Sequence, residues 1–328
     1  MKLPSMFHNK IKASVVVPTY NRLGMLQECL QSLEEQSLHK KDFEVIVVDD
    51  GSKDATPRFL EEWGSRDRKR HRYFAQKNMG VASARNNGIK AAKGEIVCFL
   101  DDDCIATEKW LEKIMEGFVD EKIGGVGGDI VSHKSDSLLE QYAEETGLLR
   151  QSRFIELFIV TANAAYLRKI LREINGFDEE FLVGQDVELG LRVRRAGYKL
   201  SYKPEAVVFH KHRATFLGLL KQGYSHGVGY AMFNQKYEKH FSMGRIAYII
   251  VRGILRDLVF YPFKIVKFLV MKRESIVLVK PLLDVTMLAM QAYGVIHQSY
   301  FKEKYKGKKI SERLDFIDKA KVPLGWGK

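Results

Sequence analysis

The residues best placed to do chemistry are two acidic clusters. Asp49-Asp50-Gly51-Ser52 closes one β-branched run, and Asp101-Asp102-Asp103 closes another. Carboxylates crowded on one edge repel one another unless a cation intervenes. A divalent ion carrying a phosphate group is the nearest remedy, because carboxylates are natural ligands of Mg2+ and Mn2+. One Asp-Asp-Gly-Ser cluster could serve only as a turn and helix cap, roles these residue types favour. Two clusters ending two strands of one sheet point instead to a site that grips a phosphorylated ligand.

The elements that must position these clusters are legible as an alternation. Candidate strands are Ala13–Val17, Phe43–Val48, Arg72–Ala75 and Glu95–Leu100. Between them, apolar residues recur three and four apart, at Leu23, Leu26, Leu30 and Leu33, from Ala55 to Trp63, and from Val81 through Ala84 and Ile89 to Ala92. Short strands alternating with longer helices predict a mostly parallel sheet flanked by helices on both faces. Ligands of such sheets bind beyond the carboxyl ends of the strands, where both acidic clusters fall.

At 328 residues, 45% hydrophobic and 29% charged, the chain fits one large α/β domain or a catalytic domain with an appendage. This composition excludes a disordered protein and a multi-span channel. The three cysteines, Cys29, Cys98 and Cys104, include no close pair. That excludes a disulfide scaffold and a cysteine zinc site, and suits a reducing compartment. The opening MKLPSMFHNKIKASVVVPTY holds no apolar stretch long enough for a signal peptide, so a cytoplasmic location is expected. The net charge of +12 is unevenly spread: residues 1–210 hold 31 Lys and Arg against 33 Asp and Glu, and residues 211–328 hold 22 against 8. A neutral body and a basic remainder imply different partners.

Four motifs carry a family resemblance. PTYN after the first strand, VVDDGS after the second, NMGVASARNNGI before the fourth and FLDDDC at its end stand in this order. Over about residues 12–215 the chain resembles the family-2 glycosyltransferases. The resemblance implies the GT-A fold, a Rossmann-like α/β domain that binds a nucleotide sugar. The expected organisation is a catalytic domain over 1–215 and a mainly helical appendage over 216–328.

The resemblance also distributes roles. Tyr20 would stack on the base, with Pro18 and Thr19 shaping the floor. Asp50 would read the base edge, and a carboxylate there suits the N3–H of a pyrimidine, so a UDP-sugar is the favoured donor. Arg85 offers a planar guanidinium to base or phosphate, or else a helix-surface salt bridge. Alternation along a strand would turn Asp101 and Asp103 toward the ligand and Asp102 away. Asp101 would bind ribose, Asp102 completes the donor-side cluster, and Asp103 would hold Mn2+ or Mg2+. In Gly184-Gln185-Asp186 the family's usual Glu is replaced by Gln185, and Asp186 would be the general base. Glu188 is an alternative, deeper in the helix. His210, with His212 as competitor, would be a further metal ligand. Asn163 and Gln185 are the acceptor-side candidates, and Asn163 could equally be a turn-former. Gly124-Gly125-Val126-Gly127-Gly128 lacks the ending of a phosphate loop and reads as a flexible strand edge.

Beyond His212 the chain turns basic and apolar. Arg245, Arg252 and Arg256 are spaced to share one helical face, with Lys264 and Lys267 beyond them. Such a pattern fits a helix lying on an anionic membrane surface. Packing on the catalytic domain or a homo-oligomer contact is the alternative, and nothing in it suggests nucleic-acid binding. Ser275–Phe301 is interrupted by Lys280, Pro281 and Asp284 and misses a spanning helix. Lys302–Lys309 reads as a surface-seeking run. The resulting expectation is an inverting transferase, peripheral on the cytoplasmic face of the membrane, moving a sugar to a glycan or lipid-linked acceptor. The rivals are an inactive relative acting as a partner subunit and a sugar nucleotidyltransferase, for which PTYNRLGM lacks the glycine-rich basic loop.

Overall fold

The computed structural model describes residues 11–133, 137–147, 149–211, 215–237, 251–253, 255–256, 259–262 and 276–304. These fall into two compact units, one of residues 11–131 and 149–210, the other of 132–148 and 211–306.

The first unit is built on an eight-stranded sheet. Strands β1 (Ala13–Thr19), β2 (Phe43–Asp49), β3 (His71–Ala75) and β4 (Ile96–Leu100) lie in the order β3-β2-β1-β4, all parallel. Helices α1 (Leu23–Glu34), α2 (Thr56–Arg66) and α3 (Val81–Ala91) make the crossovers. Every residue of β1, β2 and β4 is buried, as strands covered on both faces require. Helix α1 buries Leu26, Cys29, Leu30 and Leu33 along one stripe. Helix α3 lies so close to β1 that a Cβ on Gly88 would come within 2.3 Å of Val16.

The remaining strands make the sheet mixed. They are β5 (Cys104–Ala106), β6 (Ile123–Ser132), β7 (Asn163–Leu167) and β8 (Lys199–His210), with α4 (Trp110–Glu116) after β5. They extend the order as β4-β7-β6-β8-β5, and the pairs β4/β7, β6/β7 and β5/β8 are antiparallel. The glycine run expected at a flexible edge is therefore interior, because β6 lies between β7 and β8. Its glycines are demanded by packing. A Cβ on Gly125 would strike the Tyr166 ring at 2.6 Å, and one on Gly128 would meet the Ala206 carbonyl at 2.1 Å.

One detail of register opens the site. The β1/β4 ladder ends at Val16 and Phe99, whereas the β1/β2 ladder runs on to Thr19 and Asp49. Strand β1 thus parts from β4 just before Asp101. Pro18, which has no N–H to give, sits where no β4 partner needs one.

The second unit is helical, with α5 (Leu138–Thr146), α8 (Phe216–Lys236) and, counting α6 (Arg168–Glu173) and α7 (Gln185–Arg195) in the first unit, α9 (Ile276–Lys304). Ser137 and Glu140 form a capping box at the start of α5. Helices α8 and α9 pack backbone to backbone: a Cβ on Gly227 would lie 2.0 Å from the Gln291 carbonyl, and one on Gly294 2.2 Å from that of Tyr224. Tyr142 donates to Asp284 at 2.9 Å, so the polar residues of α9 serve as struts. Among the described residues, no helix is long and apolar enough to cross a membrane. Val251, Leu255, Val259 and Phe260 are more than half exposed on a helical stretch that also carries Arg252 and Arg256. Arg245, Lys264, Lys267, His212 and residues 305–309 of the closing basic run lie outside the described residues.

Candidate active site

The loops after β1 and β2 are stitched together first. Asn21 adopts a left-handed φ of 53°. Its N–H donates to Ser52 Oγ at 2.8 Å, and its Oδ1 accepts from the Lys53 N–H at 2.6 Å. Asp50, at the end of β2, anchors a third loop. Its Oδ1 accepts from Gln76 Nε2 at 2.7 Å and the Met79 N–H at 2.8 Å, and its Oδ2 accepts from the Gly80 N–H at 2.9 Å. Burial raises the Asp50 carboxyl above its ordinary range and outweighs the downward pull of these bonds. Of roughly four acceptor positions on a carboxylate, one on Oδ2 stays open.

The three aspartates after β4 leave the strand in a turn, closed by the Cys104 N–H donating to the Asp101 carbonyl at 3.0 Å. Asp102 points inward, and the turn rather than strand alternation is the cause. Its carboxylate accepts from Thr19 Oγ1 at 2.8 Å and from Arg22 Nη1 at 3.0 Å. Thr19 and Asp102, both expected among the donor contacts, are thus buried struts that fasten β1 to the aspartate turn. Burial pushes the Asp102 carboxyl up to about 6, against Arg22 and Thr19, which lower it. Arg22 also donates to Asp103 Oδ2 at 3.0 Å while its side chain is 44% exposed. In the sequence Arg22 is not legible as a site residue, because its place between the PTYN turn and α1 looks like a helix start.

Asp101 faces the other way, accepting from Arg85 Nη2 at 2.8 Å. Arg85 is buried, and its guanidinium lies 5.5 Å from the centre of the Phe177 ring. Asn86 fixes Phe177 by exchanging two hydrogen bonds with its backbone, at 2.8 and 2.9 Å. Asp186, in the first turn of α7, is partly buried and accepts from the Val187 N–H at 2.9 Å. Burial raises its pKa. The Val187 N–H and the Arg85 charge oppose that rise, and the Asp101 charge adds to it. A carboxylate 85 residues downstream (186 − 101) therefore shares an electrostatic field with the aspartate turn. Tyr166, a second residue the sequence did not single out, ends nearby in a buried hydroxyl with no hydrogen-bond partner among the described residues, its pKa raised by burial and by Asp186.

A cation would find its donors at Asp103 and His210, whose Oδ1 and Nε2 are 3.5 Å apart. Cys104 Sγ lies 3.8 Å from the same Oδ1. The ligand atoms of Asp103, Cys104 and His210 all lie within 4.8 Å of one another. Carboxylate, imidazole and thiol at this spacing fit one divalent ion. Excluding cysteine from metal binding holds for a cysteine-only site. It does not anticipate one cysteine delivered by strand pairing, and Cys104 faces His210 across β5/β8.

Three other expectations resolve into structural roles. Asn163, expected on the acceptor side, is fully buried: it accepts from Trp110 Nε1 and donates to the Asp129 and Ala206 carbonyls, each at 2.8 Å. It clamps β7, β6 and β8 and has no donor left for a sugar. Gln185 is buried with its Nε2 on the Leu182 carbonyl, bracing the turn into α7. Glu188 is fully buried and paired with Arg192 at 2.6 Å, which removes it as an alternative base. Tyr20 is partly exposed and Pro18 buried, at the mouth formed where β1 leaves β4.

Comparison with known proteins places this geometry. Residues 14–175 match the family described as glycosyl transferase family 2, and residues 96–296 match glycosyl transferase family group 2. The glycosyltransferase AglE of Haloferax volcanii is 28% identical over 219 residues, covering 66% of this chain and 72% of the relative. A Campylobacter jejuni GalNAc(5)-diNAcBac-PP-undecaprenol beta-1,3-glucosyltransferase is 29% identical over 243 residues, 71% of this chain and 76% of the relative. A mannosyltransferase of Pyrobaculum calidifontis, solved with GDP-Man and Mn2+, superposes with a TM-score of 0.57 at 17% identity, over 94% of this chain and 79% of that one. That likeness bears on the fold alone.

Proposed function

The chain belongs to the family-2 glycosyltransferases, enzymes of GT-A fold that use nucleotide-sugar donors, and on that premise we propose an inverting transfer from a UDP-sugar to a membrane-presented acceptor. The observation that carries the reading is the convergence of Asp186, Arg85 and Asp101, brought from three distant stretches into one electrostatic unit.

Each residue acts through what its geometry leaves open. Asp50 has one acceptor position free after holding the 76–80 loop. Uracil presents a single N3–H, which fills it; guanine presents two donors on the same edge and would leave one unmet. Tyr20 at the mouth offers the stacking face. Asp101, steadied by Arg85, accepts from ribose hydroxyls. A divalent cation, Mn2+ or Mg2+, held by Asp103 and His210 would neutralise charge on the departing diphosphate. Asp186 takes the acceptor hydroxyl's proton as that oxygen attacks the anomeric carbon from the face opposite the leaving group. Its raised pKa moves it toward the range where a carboxylate is an effective base.

The acceptor is a glycan or lipid-linked sugar, and the second unit supports the membrane part of this reading. Exposed Val251, Leu255, Val259 and Phe260 beside Arg252 and Arg256 suit an anionic headgroup layer. The lipid-diphosphate acceptor that the Campylobacter relative is named for is of the same class.

Asp103→Asn and Asp186→Asn test the mechanism together. Asp186→Asn is expected to keep UDP-sugar binding and lose turnover by about 10²–10⁴-fold. Asp103→Asn is expected to lose metal-dependent donor uptake in calorimetry. Undiminished transfer in both variants would remove the mechanism.

A further inference from the structure

We propose that Cys104 is a third ligand of the cation site and sets its ion preference, favouring thiophilic divalent ions over Mg2+. This rests on the metal reading of Asp103 and His210 and goes beyond it.

The placement follows from the sheet. Cys104 opens β5 and His210 closes β8, and they are directly opposed in the antiparallel register. Opposed residues send their side chains to the same face, with Cβ atoms about 5 Å apart. The preceding turn swings Asp103 onto that face as well, so its Oδ1 lies 3.5 Å from His210 Nε2 and 3.8 Å from Cys104 Sγ. Donors about 2.0–2.3 Å from a common ion are separated from one another by such distances. Asp103 Oδ2 is turned away toward Arg22, so Oδ1 is the oxygen presented to the other two donors. The arrangement is a three-point face of oxygen, nitrogen and sulfur, on which the diphosphate and water can complete the shell.

The chemistry of that face discriminates among ions. Mg2+ prefers oxygen ligands in an octahedral shell, whereas thiolate and imidazole suit Zn2+ and its softer neighbours. Coordination replaces the S–H bond with an S–metal bond, and the thiol proton leaves to solvent. Cys104 is fully buried, so a bound ion would be shielded from solvent on its sulfur side.

Cobalt reports this directly. The full chain, freed of metal with a chelator and titrated with Co2+ alone, is expected to develop visible ligand-field bands and a near-ultraviolet thiolate-to-cobalt charge-transfer band. Cys29→Ala should keep both. Cys104→Ala should lose the charge-transfer band and keep the ligand-field bands, and His210→Ala should weaken both. Competition should show Zn2+ displacing Co2+ far more readily than Mg2+ does, with that gap narrowing at least about tenfold in Cys104→Ala. Should Cys104→Ala fail to fold, the wild-type spectrum still decides, because the band is read on the intact protein. Ligand-field bands without a charge-transfer band would overturn the role of Cys104 and leave the Asp103–His210 reading standing. Absence of any cobalt uptake would overturn both.

Discussion

Asp102 gives the sharpest test of the site's electrostatics. Its side chain is 6% exposed, and its pKa stands at about 6 against an ordinary 3.8. Between those values the folded chain holds a proton that the unfolded chain has released. Stability must then fall as pH rises through this window, because the slope follows protons bound in the unfolded state minus those bound in the folded one. A shift of about 2 units at about 1.4 kcal/mol each gives a loss of roughly 3 kcal/mol, complete above pH 6 to 7. Asp102→Asn removes the charge and keeps the shape. The amide oxygen can still accept from Arg22, and the amide nitrogen can donate to the Thr19 hydroxyl, which turns to accept.

The variant is therefore expected to be more stable than wild type at pH 8, by up to about 3 kcal/mol, and to converge with it near pH 4. For a unit of this size that amounts to roughly 6–12 °C in melting temperature. The assay is a set of thermal melts from pH 4.5 to 8.5 in chelator, so that no metal masks the repulsion. Asp50 and Asp186 are also raised and give a slope of the same sign, so the readout is the difference between variant and wild type. A variant less stable than wild type at pH 8, or one that keeps the full wild-type slope, would refute the reasoning.

Two further outcomes follow from the same structure. Asn163→Ala leaves the Trp110 indole N–H and the carbonyls of Asp129 and Ala206 unmet in the core. It should cost about 2–5 kcal/mol in denaturant melts while leaving the acceptor KM unchanged where the variant is folded; a raised acceptor KM at unchanged stability would return Asn163 to the acceptor pocket. The full chain should float with vesicles rich in anionic lipid and not with neutral ones, and the double variant Arg252→Glu/Arg256→Glu should bind at least about tenfold more weakly; equal flotation with neutral vesicles would refute the charge-based docking.

What the sequence disclosed was local. Apolar residues at Leu26, Leu30 and Leu33 dictate the buried stripe of α1, and unbroken β-branched runs dictate strands covered on both faces, so the parallel half could be read residue by residue. The antiparallel half could not, because its logic lies in pairing between distant stretches. Gly124–Gly128 reads as slack until Tyr166, Asn163 and Ala206 are seen to press against it. Asn163 reads as a polar site residue until β6, β7 and β8 close around its amide. Cys104 and His210 are 106 residues apart (210 − 104) and become neighbours only through one ladder. Asp102 turns inward as expected, but the cause is the turn that follows Leu100 and not period-2 alternation along the strand.

The distribution of charge explains why these carboxylates were legible even where their partners were not. Asp101, Asp102 and Asp103 stand at the opening between β1 and β4 with Asp186 in the field of Asp101, and the described guanidiniums that meet them are Arg22 and Arg85; Asp50 follows the neighbouring strand β2. The pKa values of Asp50, Asp102 and Asp186 are all raised, the thermodynamic mark of negative charge held against burial and its own kind. A purely structural cluster would gain by exchanging one of these residues for an amide. Retaining them costs folding stability, a cost that fits the proposed role of holding a positive ion with a phosphorylated ligand behind it. Asp102, its pKa pushed up to about 6, is held by Thr19 and by the exposed Arg22, so its burial is coupled to the loop that carries Arg22 and Tyr20.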